Sequence, residues 1–172
     1  IVPAENFGGR FDAWHTGAPQ CHDKNGNPYR GRKCAERVSR AYRLMQADMY
    51  NLYPAVGAVN AARRQYAFTP LFKRVPPAFG SCAVKIRSRR MEPPESARGM
   101  IARTYLYMEW AYQMPLLGVM KRKLMQEWNA AYPVTQAECQ RAFLIESLQK
   151  NEQPFVKTPC VQAGLWPRSK DV

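Results

Sequence analysis

Acidic residues and histidines are scarce in this sequence, and that scarcity limits the chemistry it can carry. Asp and Glu total 13 of 172 residues and His only 2, against 26 Lys and Arg. The five cysteines show no C-x-x-C spacing, so a zinc site is disfavoured. No glycine-rich phosphate loop, nucleophile elbow or paired-carboxylate motif is present. The apolar runs are too short to span a membrane, and we expect no membrane partner.

The excess of positive charge is the first indication of function. The formal net charge is +13 and the sequence pI is near 9.9. Such an excess favours a polyanionic partner, which could be nucleic acid, an anionic membrane surface or an acidic polysaccharide. The basic residues are concentrated in residues 30–43, 85–90 and 121–123. Arginine outnumbers lysine, which suits phosphate better than lipid headgroups.

The cysteines indicate the compartment. Five cysteines at wide spacing predict disulfides and an oxidising environment, such as the periplasm or the extracellular space. Because five is odd, one sulfur lacks a partner within the chain. The fifth cysteine is then a free thiol, forms an intermolecular disulfide, or pairs with a cysteine on a missing piece of chain.

Hydrophobic periodicity predicts a mainly helical α+β domain whose few strands lie before residue 90. We expect one domain over residues 1–172, divided into a first part at 1–65, an irregular part with one strand at 66–93, a helical part at 94–150 and a tail at 151–172. Within it, the pattern predicts loop over 1–33, one helix over 35–50, a short helix near 55–68, a strand over 82–88, and helices over 94–115, 120–132 and 135–150. The last of these opens with a capping box from Thr135 to Glu138.

The spacing of residues along the sequence identifies few candidates for catalysis. His15 and His22 lie in a polar loop, where a histidine is more often a solvated side chain than a base. Asn51 and Asn60 carry carboxamide oxygens, which are hard ligands suited to Mg²⁺ or Ca²⁺. From spacing alone, each asparagine is rather expected to cap a turn.

Six blocks of the chain, taken together, resemble the bacterial endonuclease I family of periplasmic and secreted nucleases. They follow one another in order over nearly the whole chain and read IVPAENFG, GRKC, ADMYNLYPAVGAVNAARRQYAF, PPESARGMIARTYLYM, WNAAYPVTQAEC and NEQPFV. The resemblance implies a ββα-metal (His-Me finger) fold, with the N-terminal strand region missing from these residues and residues 1–65 as the remnant of the metal-site region. It also implies hydrolysis of phosphodiester bonds in DNA, and in RNA as well, with little sequence preference.

The resemblance also implies roles for particular residues. In the family a Glu-His pair supplies a metal ligand and the general base, an Asn completes the metal site, and an Arg steadies the phosphate. Matched block by block, Asn60 is the metal ligand for one ion, Mg²⁺ or else Ca²⁺ or Mn²⁺, and Arg32 is the phosphate contact. Asn51 remains a structural amide. The expected nucleic-acid contacts are Arg30, Lys33, Arg63, Arg64 and Arg98.

The chain departs from the family at several positions. The Glu-His pair would fall immediately before Ile1, so we expect the chain to begin just past its general base. Gln46 stands where the family usually has Glu, and Tyr50 where it usually has His. Ala58 and Ala62 stand where familiar members have acids, so the chain lacks two carboxylates that tune the metal-bound water in some members.

The resemblance also bears on the cysteines, because familiar members have further cysteines upstream of the Glu-His pair. By proximity we pair Cys21 with Cys34, and across the tail Cys139 with Cys160. Cys82 is then left for an upstream partner.

Three functions remain open from the sequence. The first is a metal-dependent nuclease, non-specific, periplasmic or secreted, and monomeric. The second is a non-catalytic basic nucleic-acid-binding module or an inactive fragment, since the Glu-His pair is absent from the chain. The third and weakest is a cationic cell-surface or polysaccharide binder, for which the scattered tryptophans provide no sugar-binding platform.

Overall fold

The computed structural model describes residues 1–167 of the chain. Its helices are α1 (Ala4–Gly8), α2 (Asp12–His15), α3 (Arg32–Val38), α4 (Arg40–Ala47), α5 (Gly57–Arg63), α6 (Glu95–Tyr112), α7 (Val119–Ala131), α8 (Gln136–Gln149) and α9 (Pro154–Gln162). A turn of 3₁₀ helix covers Met49–Asn51. The strands are β1 (Ala67–Phe68), β2 (Lys85–Arg87) and β3 (Arg90–Glu92). The predicted class, α+β and mainly helical, is confirmed.

Helix α6 is the central element of the molecule. Every residue from Ile101 to Met108 is buried, so this segment has no solvent-facing side. Helix α7 packs along α6, and α9 and the 3₁₀ turn also contact it. Most of the buried apolar side chains, from Val2 to Cys160, form one cluster around this helix. A second, small cluster consists of Ala13, Cys21 and Cys34. Within residues 1–167, no helix is both long and apolar enough to cross a bilayer.

The sheet is small and lies at one side of this core. Its strand order is β1-β3-β2, with β1 parallel to β3 and β2 antiparallel to β3. The parallel register places Ala67 beside Arg90. Ser88 and Arg89 connect β2 to β3 with φ of 50° and 58°, the conformation of a two-residue type I′ turn. The predicted strand over 82–88 is therefore shorter than expected, and it pairs with a strand that sequence reasoning missed.

The helices predicted by periodicity are present at 95–112, 119–131 and 136–149, and α5 lies within the predicted short helix. The prediction of a single helix over 35–50 is wrong. The chain breaks at Ser39, which has extended φ and ψ and whose hydroxyl accepts a hydrogen bond from the Tyr42 amide at 3.1 Å. Ser39 thereby caps α4, and Tyr42 turns into the core against Phe7.

Two regions predicted as irregular contain helices. Residues 1–33 include α1 and α2, which are only five and four residues long and too short to show periodicity. The tail includes α9, which begins at Pro154 after Gln153 caps it through a hydrogen bond to Phe155. The last part of the predicted tail, residues 168–172, lies outside the described residues.

Both predicted disulfides are present. Cys21 bonds Cys34 and Cys139 bonds Cys160, and all four cysteines are fully buried. The first bridge ties α3 to the preceding loop, and the second joins α8 to α9. Cys82 is an exposed free thiol in the part of the chain that the structure describes.

Candidate nucleic-acid and metal-binding site

Asn60 lies on the exposed side of α5. Its backbone amide donates to the carbonyl of Val56 at 2.9 Å, and its carbonyl accepts from Arg64 at 3.3 Å, so the residue is held in a helical conformation. The side chain is exposed and makes no hydrogen bond to any residue in the range 1–167. Its carboxamide oxygen is therefore available to an external ligand such as a hard cation.

Asn51 has the structural role that was expected for it. Its Oδ1 accepts from the Val2 amide at 2.6 Å, and its Nδ2 donates to the Val2 carbonyl at 3.0 Å. The Ile1 nitrogen in turn donates to the Asn51 carbonyl at 2.8 Å. Asn51 is buried, so these bonds replace the water that its amide would otherwise contact. They hold Ile1 and Val2 against the segment that leads into α5.

Arg32 is the first residue of α3 and is exposed. Its guanidinium lies close to the Tyr42 hydroxyl, while burial of that ring raises the pKa of Tyr42. Arg30 is anchored nearby through a hydrogen bond from Nη1 to the His15 carbonyl at 3.1 Å. Lys33 follows Arg32 and is also exposed. The buried Cys21–Cys34 bridge fixes this basic segment, since Cys34 lies within α3.

Helix α1 links the region of Arg32 with the region of Asn60. On one side Phe7 packs on the Tyr42 ring with centroids 5.6 Å apart, beneath the start of α3. On the other side Asn6 lines a small cavity together with Gln65, which follows α5. Arg32 is therefore on a helix that contacts α1, and Asn60 is on the helix that precedes Gln65, which lines a cavity with Asn6 of α1.

Among the remaining predicted nucleic-acid contacts, one side chain is exposed to solvent and two contact other residues of the protein. Arg64 is exposed and ends α5 with a φ of 50°. Arg63 is buried, stacks 4.2 Å from the centroid of Phe68 and lies beside the Tyr105 hydroxyl. Burial lowers the pKa of Arg63, and two of its nitrogens have no hydrogen-bond acceptor within the described residues. Its position favours a structural role over contact with a nucleic acid.

Arg98 is likewise occupied within the protein. Its guanidinium pairs with Glu92 at 2.9 Å and with Glu95 at 3.4 Å, and it donates to the Tyr132 hydroxyl at 2.9 Å. These contacts neutralise its charge and use its donors, so the geometry disfavours Arg98 as a phosphate contact.

The described residues contain few groups that could complete a metal site. Over residues 1–167, no three His, Cys, Asp or Glu side chains come close enough together to hold an ion. His15 and His22 are exposed, and their rings hydrogen-bond the backbone carbonyls of Gly9 and Pro19 at 2.9 and 3.0 Å. Asn60 stays the predicted metal ligand, and its exposed side chain is compatible with that prediction.

Sequence reasoning identified the basic runs at 85–90 and 121–123 but placed no site residue in them. The structure brings Arg90, Lys121 and Lys123 to the walls of one cavity of about 570 Å³. The charge runs were a visible signal. Their juxtaposition depends on the sheet register and on the packing of α7, which no local pattern reveals.

Comparison with known proteins assigns the chain by sequence. The family described as Endonuclease I matches residues 1–160. An extracellular deoxyribonuclease of Aeromonas hydrophila is 36% identical over 163 residues, which are 93% of this chain and 65% of that protein. Endonuclease-1 of Buchnera aphidicola subsp. Acyrthosiphon pisum is 35% identical, with 93% and 58% covered, and a periplasmic deoxyribonuclease of A. hydrophila is 36% identical, with 93% and 62% covered. The chain thus spans about three fifths of the length of these relatives.

Proposed function

Because the chain belongs to the endonuclease I family, we propose that the protein carrying it is a nuclease that hydrolyses phosphodiester bonds of DNA. The observation that carries this proposal is the match over residues 1–160, together with relatives whose names include deoxyribonuclease. Cleavage is non-specific, because contacts to phosphate position a duplex without reading its sequence. RNA is a second substrate.

Asn60 and Arg32 are the residues of this chain that serve the reaction. The exposed carboxamide of Asn60 fits a hard divalent ion, and the family is generally dependent on divalent metals. One Mg²⁺ ion, or Ca²⁺ or Mn²⁺, would neutralise charge on the phosphate when bound. Arg32 extends from the start of α3 and holds a phosphate oxygen through its planar guanidinium. A ββα-metal arrangement around Asn60 belongs to the same proposal.

Substrate binding depends on the exposed cations around these two residues. Arg30, Lys33 and Arg64 reach solvent, so they can contact phosphates on either side of the scissile bond. Arg63 and Arg98 were also predicted to bind nucleic acid, but their guanidinium groups contact Phe68 and Glu92, so they contribute less to this surface.

The protein acts in the periplasm or outside the cell, as a monomer with residues 1–172 in one domain. Relatives named extracellular or periplasmic deoxyribonuclease support this location. Two buried disulfides support it as well, since such bonds persist in oxidising compartments. The main apolar cluster, which includes side chains from Val2 to Cys160, supports one domain.

The test of the metal role is the variant Asn60→Ala in a plasmid-nicking assay with Mg²⁺ or with EDTA. Nicking should fall by at least about 100-fold, because even residues behind the direct ligands contribute 10–100-fold in metal sites. Binding to DNA in EDTA should be unchanged. Asn25→Ala is the matched control, since Asn25 is also an exposed asparagine but lies in the loop between Cys21 and Cys34. Full nicking by Asn60→Ala would refute Asn60 as a ligand.

A second candidate function is nucleic-acid binding without cleavage. The observation in its favour is that residues 1–167 bring together no set of three acidic, His or Cys side chains for an ion. The same assay decides between the two functions. DNA binding without nicking in Mg²⁺, Ca²⁺ or Mn²⁺ would establish the binding module and exclude the nuclease.

A further inference from the structure

Two cavities that adjoin one another lie beyond the end of α5. The smaller cavity is lined by Asn6 and by Gln65, which lies two residues beyond the end of α5. The larger, of about 570 Å³, is lined by the end of β1, by Arg90 of β3 and by residues of α7. Ala67, Phe68 and Lys121 line both cavities, so the two adjoin at these residues. We call the larger cavity the sheet groove.

The sheet groove gathers cations that the protein itself does not neutralise. Arg90, Lys121 and Lys123 line it, and none of them makes an ion pair within residues 1–167. Between the two lysines, Arg122 is paired with Glu109 at 3.0 Å. Glu127 is the acidic side chain on the groove wall, so three positive charges oppose one negative charge. An anion bound here meets an uncompensated positive field.

The hairpin beside the groove adds to this imbalance. In the antiparallel register, Arg87 is directly opposite Arg90. Like charges at such a position destabilise the strand pair, and neither guanidinium has an acidic partner in the described part of the chain. A bound phosphate between or beside them would remove this repulsion. The repulsion between the two arginines therefore destabilises the folded protein, and a bound polyanion reduces it.

We propose that the sheet groove binds the phosphate backbone of a polynucleotide several nucleotides away from the position held near α5. The proposal rests on the proposed function for the class of ligand, since the substrate of a nuclease is itself a polyanion. Arg90 contacts phosphate from the sheet side and Lys121 and Lys123 from the helix side. Contacts of this kind supply affinity and carry no sequence information, so they suit a non-specific enzyme.

The test is the salt dependence of DNA binding by Lys121→Gln/Lys123→Gln, measured by fluorescence anisotropy on a long labelled duplex in EDTA. If each lysine neutralises one phosphate, the slope of log K against log salt becomes shallower by about 1.8. At about 0.15 M salt the affinity falls by about 30-fold, and the difference disappears near 1 M salt. Lys121→Arg/Lys123→Arg keeps the charges and should bind as the wild type does.

The matched control is Lys24→Gln/Lys150→Gln, which removes two exposed lysines that do not line the groove. Wild-type affinity and slope in the groove variant would overturn the proposal, as would an equal loss in the control. Circular dichroism of each variant establishes that the fold is retained. If the groove lysines determine binding but Mg²⁺ produces no nicking, the groove stands and the nuclease fails. If nicking occurs and the groove variant binds normally, the nuclease stands and the groove fails.

Discussion

The ion pair between Arg103 and Glu138 provides the sharpest test of how this fold is stabilised. Arg103 lies in the middle of α6, and its Nε and Nη2 donate to the two carboxylate oxygens of Glu138 at 2.8 and 2.6 Å. The side chains are only 3% and 8% exposed. The third guanidinium nitrogen donates to the Tyr132 carbonyl at 2.8 Å. Gly99 makes this possible, because a Cβ at that position would collide with the same carbonyl.

We expect Glu138→Gln to lower the free energy of unfolding by about 3–5 kcal/mol, because it leaves a buried guanidinium without its counter-charge. For a protein of this size the melting temperature should fall by about 6–20 °C. Urea unfolding followed by circular dichroism measures the change. Glu127→Gln, on the exposed side of α7, is the control and should stay within about 0.5 kcal/mol of the wild type.

The same substitution should have the opposite sign when Arg103 is absent. In Arg103→Met the Glu138 carboxylate is buried without a partner, so replacing it with neutral Gln removes an isolated charge. Arg103→Met/Glu138→Gln should therefore be more stable than Arg103→Met alone. A loss below about 1 kcal/mol for Glu138→Gln in the wild type, typical of exposed pairs, would refute the reasoning. A double variant less stable than Arg103→Met would refute it as well.

Two further predictions concern the tyrosines and the hairpin. Burial raises the pKa of Tyr50, Tyr107 and Tyr112 above the ordinary value of 10.0, and nearby carboxylates add to the effect. The unfolded state therefore loses these protons first, and the free energy of unfolding falls as pH rises above about 10. Phenolate absorbance should then rise together with unfolding, whereas reversible ionisation of all three in the folded protein near pH 10 would contradict this. Ser88→Asn/Arg89→Gly should raise the free energy of unfolding by about 1 kcal/mol, since Asn-Gly suits the positive φ of a type I′ turn. An unchanged midpoint in urea would contradict that expectation.

Local signals were sufficient for the long helices. Pro93 and Pro94 precede α6, Pro115 follows it, and Thr135 caps α8 by accepting from the Glu138 amide at 3.2 Å. These features act over one or two helical turns, so a short window of sequence is enough to recognise them. The predicted capping box is only half formed, however. The Glu138 carboxylate does not reach back to Thr135 but turns to Arg103 on another helix.

The missed elements depend on contacts across the chain. Helix α9 follows a proline-containing tail with no apolar stripe, and it is held by the Cys139–Cys160 bridge and by Gln153. The Gln153 amide donates to the Arg103 carbonyl at 3.1 Å from fifty residues away. The break at Ser39 likewise follows from the burial of Tyr42. Secondary-structure propensity is calculated over a short window of sequence, so it does not include either of these tertiary contacts.

The candidate site divides in the same way. The basic composition and the block pattern that includes Asn60 and Arg32 are properties of the sequence, and they were enough to predict the family and a polyanionic substrate. The disulfide pairs could also be inferred, because their cysteines are close in the chain. None of these inferences required knowledge of which distant residues meet.

Only the tertiary structure decided which cations are available. Arg98 and Arg122 look no different in sequence from Arg90 and Lys121, yet the first two are held by Glu92 and Glu109 and the others face the sheet groove. An ion pair forms where folding brings opposite charges within about 4 Å, whatever their separation along the chain. Composition therefore established that the protein carries excess positive charge, while the packing of α7 against α6 and the register of the sheet determined where that charge can meet a phosphate.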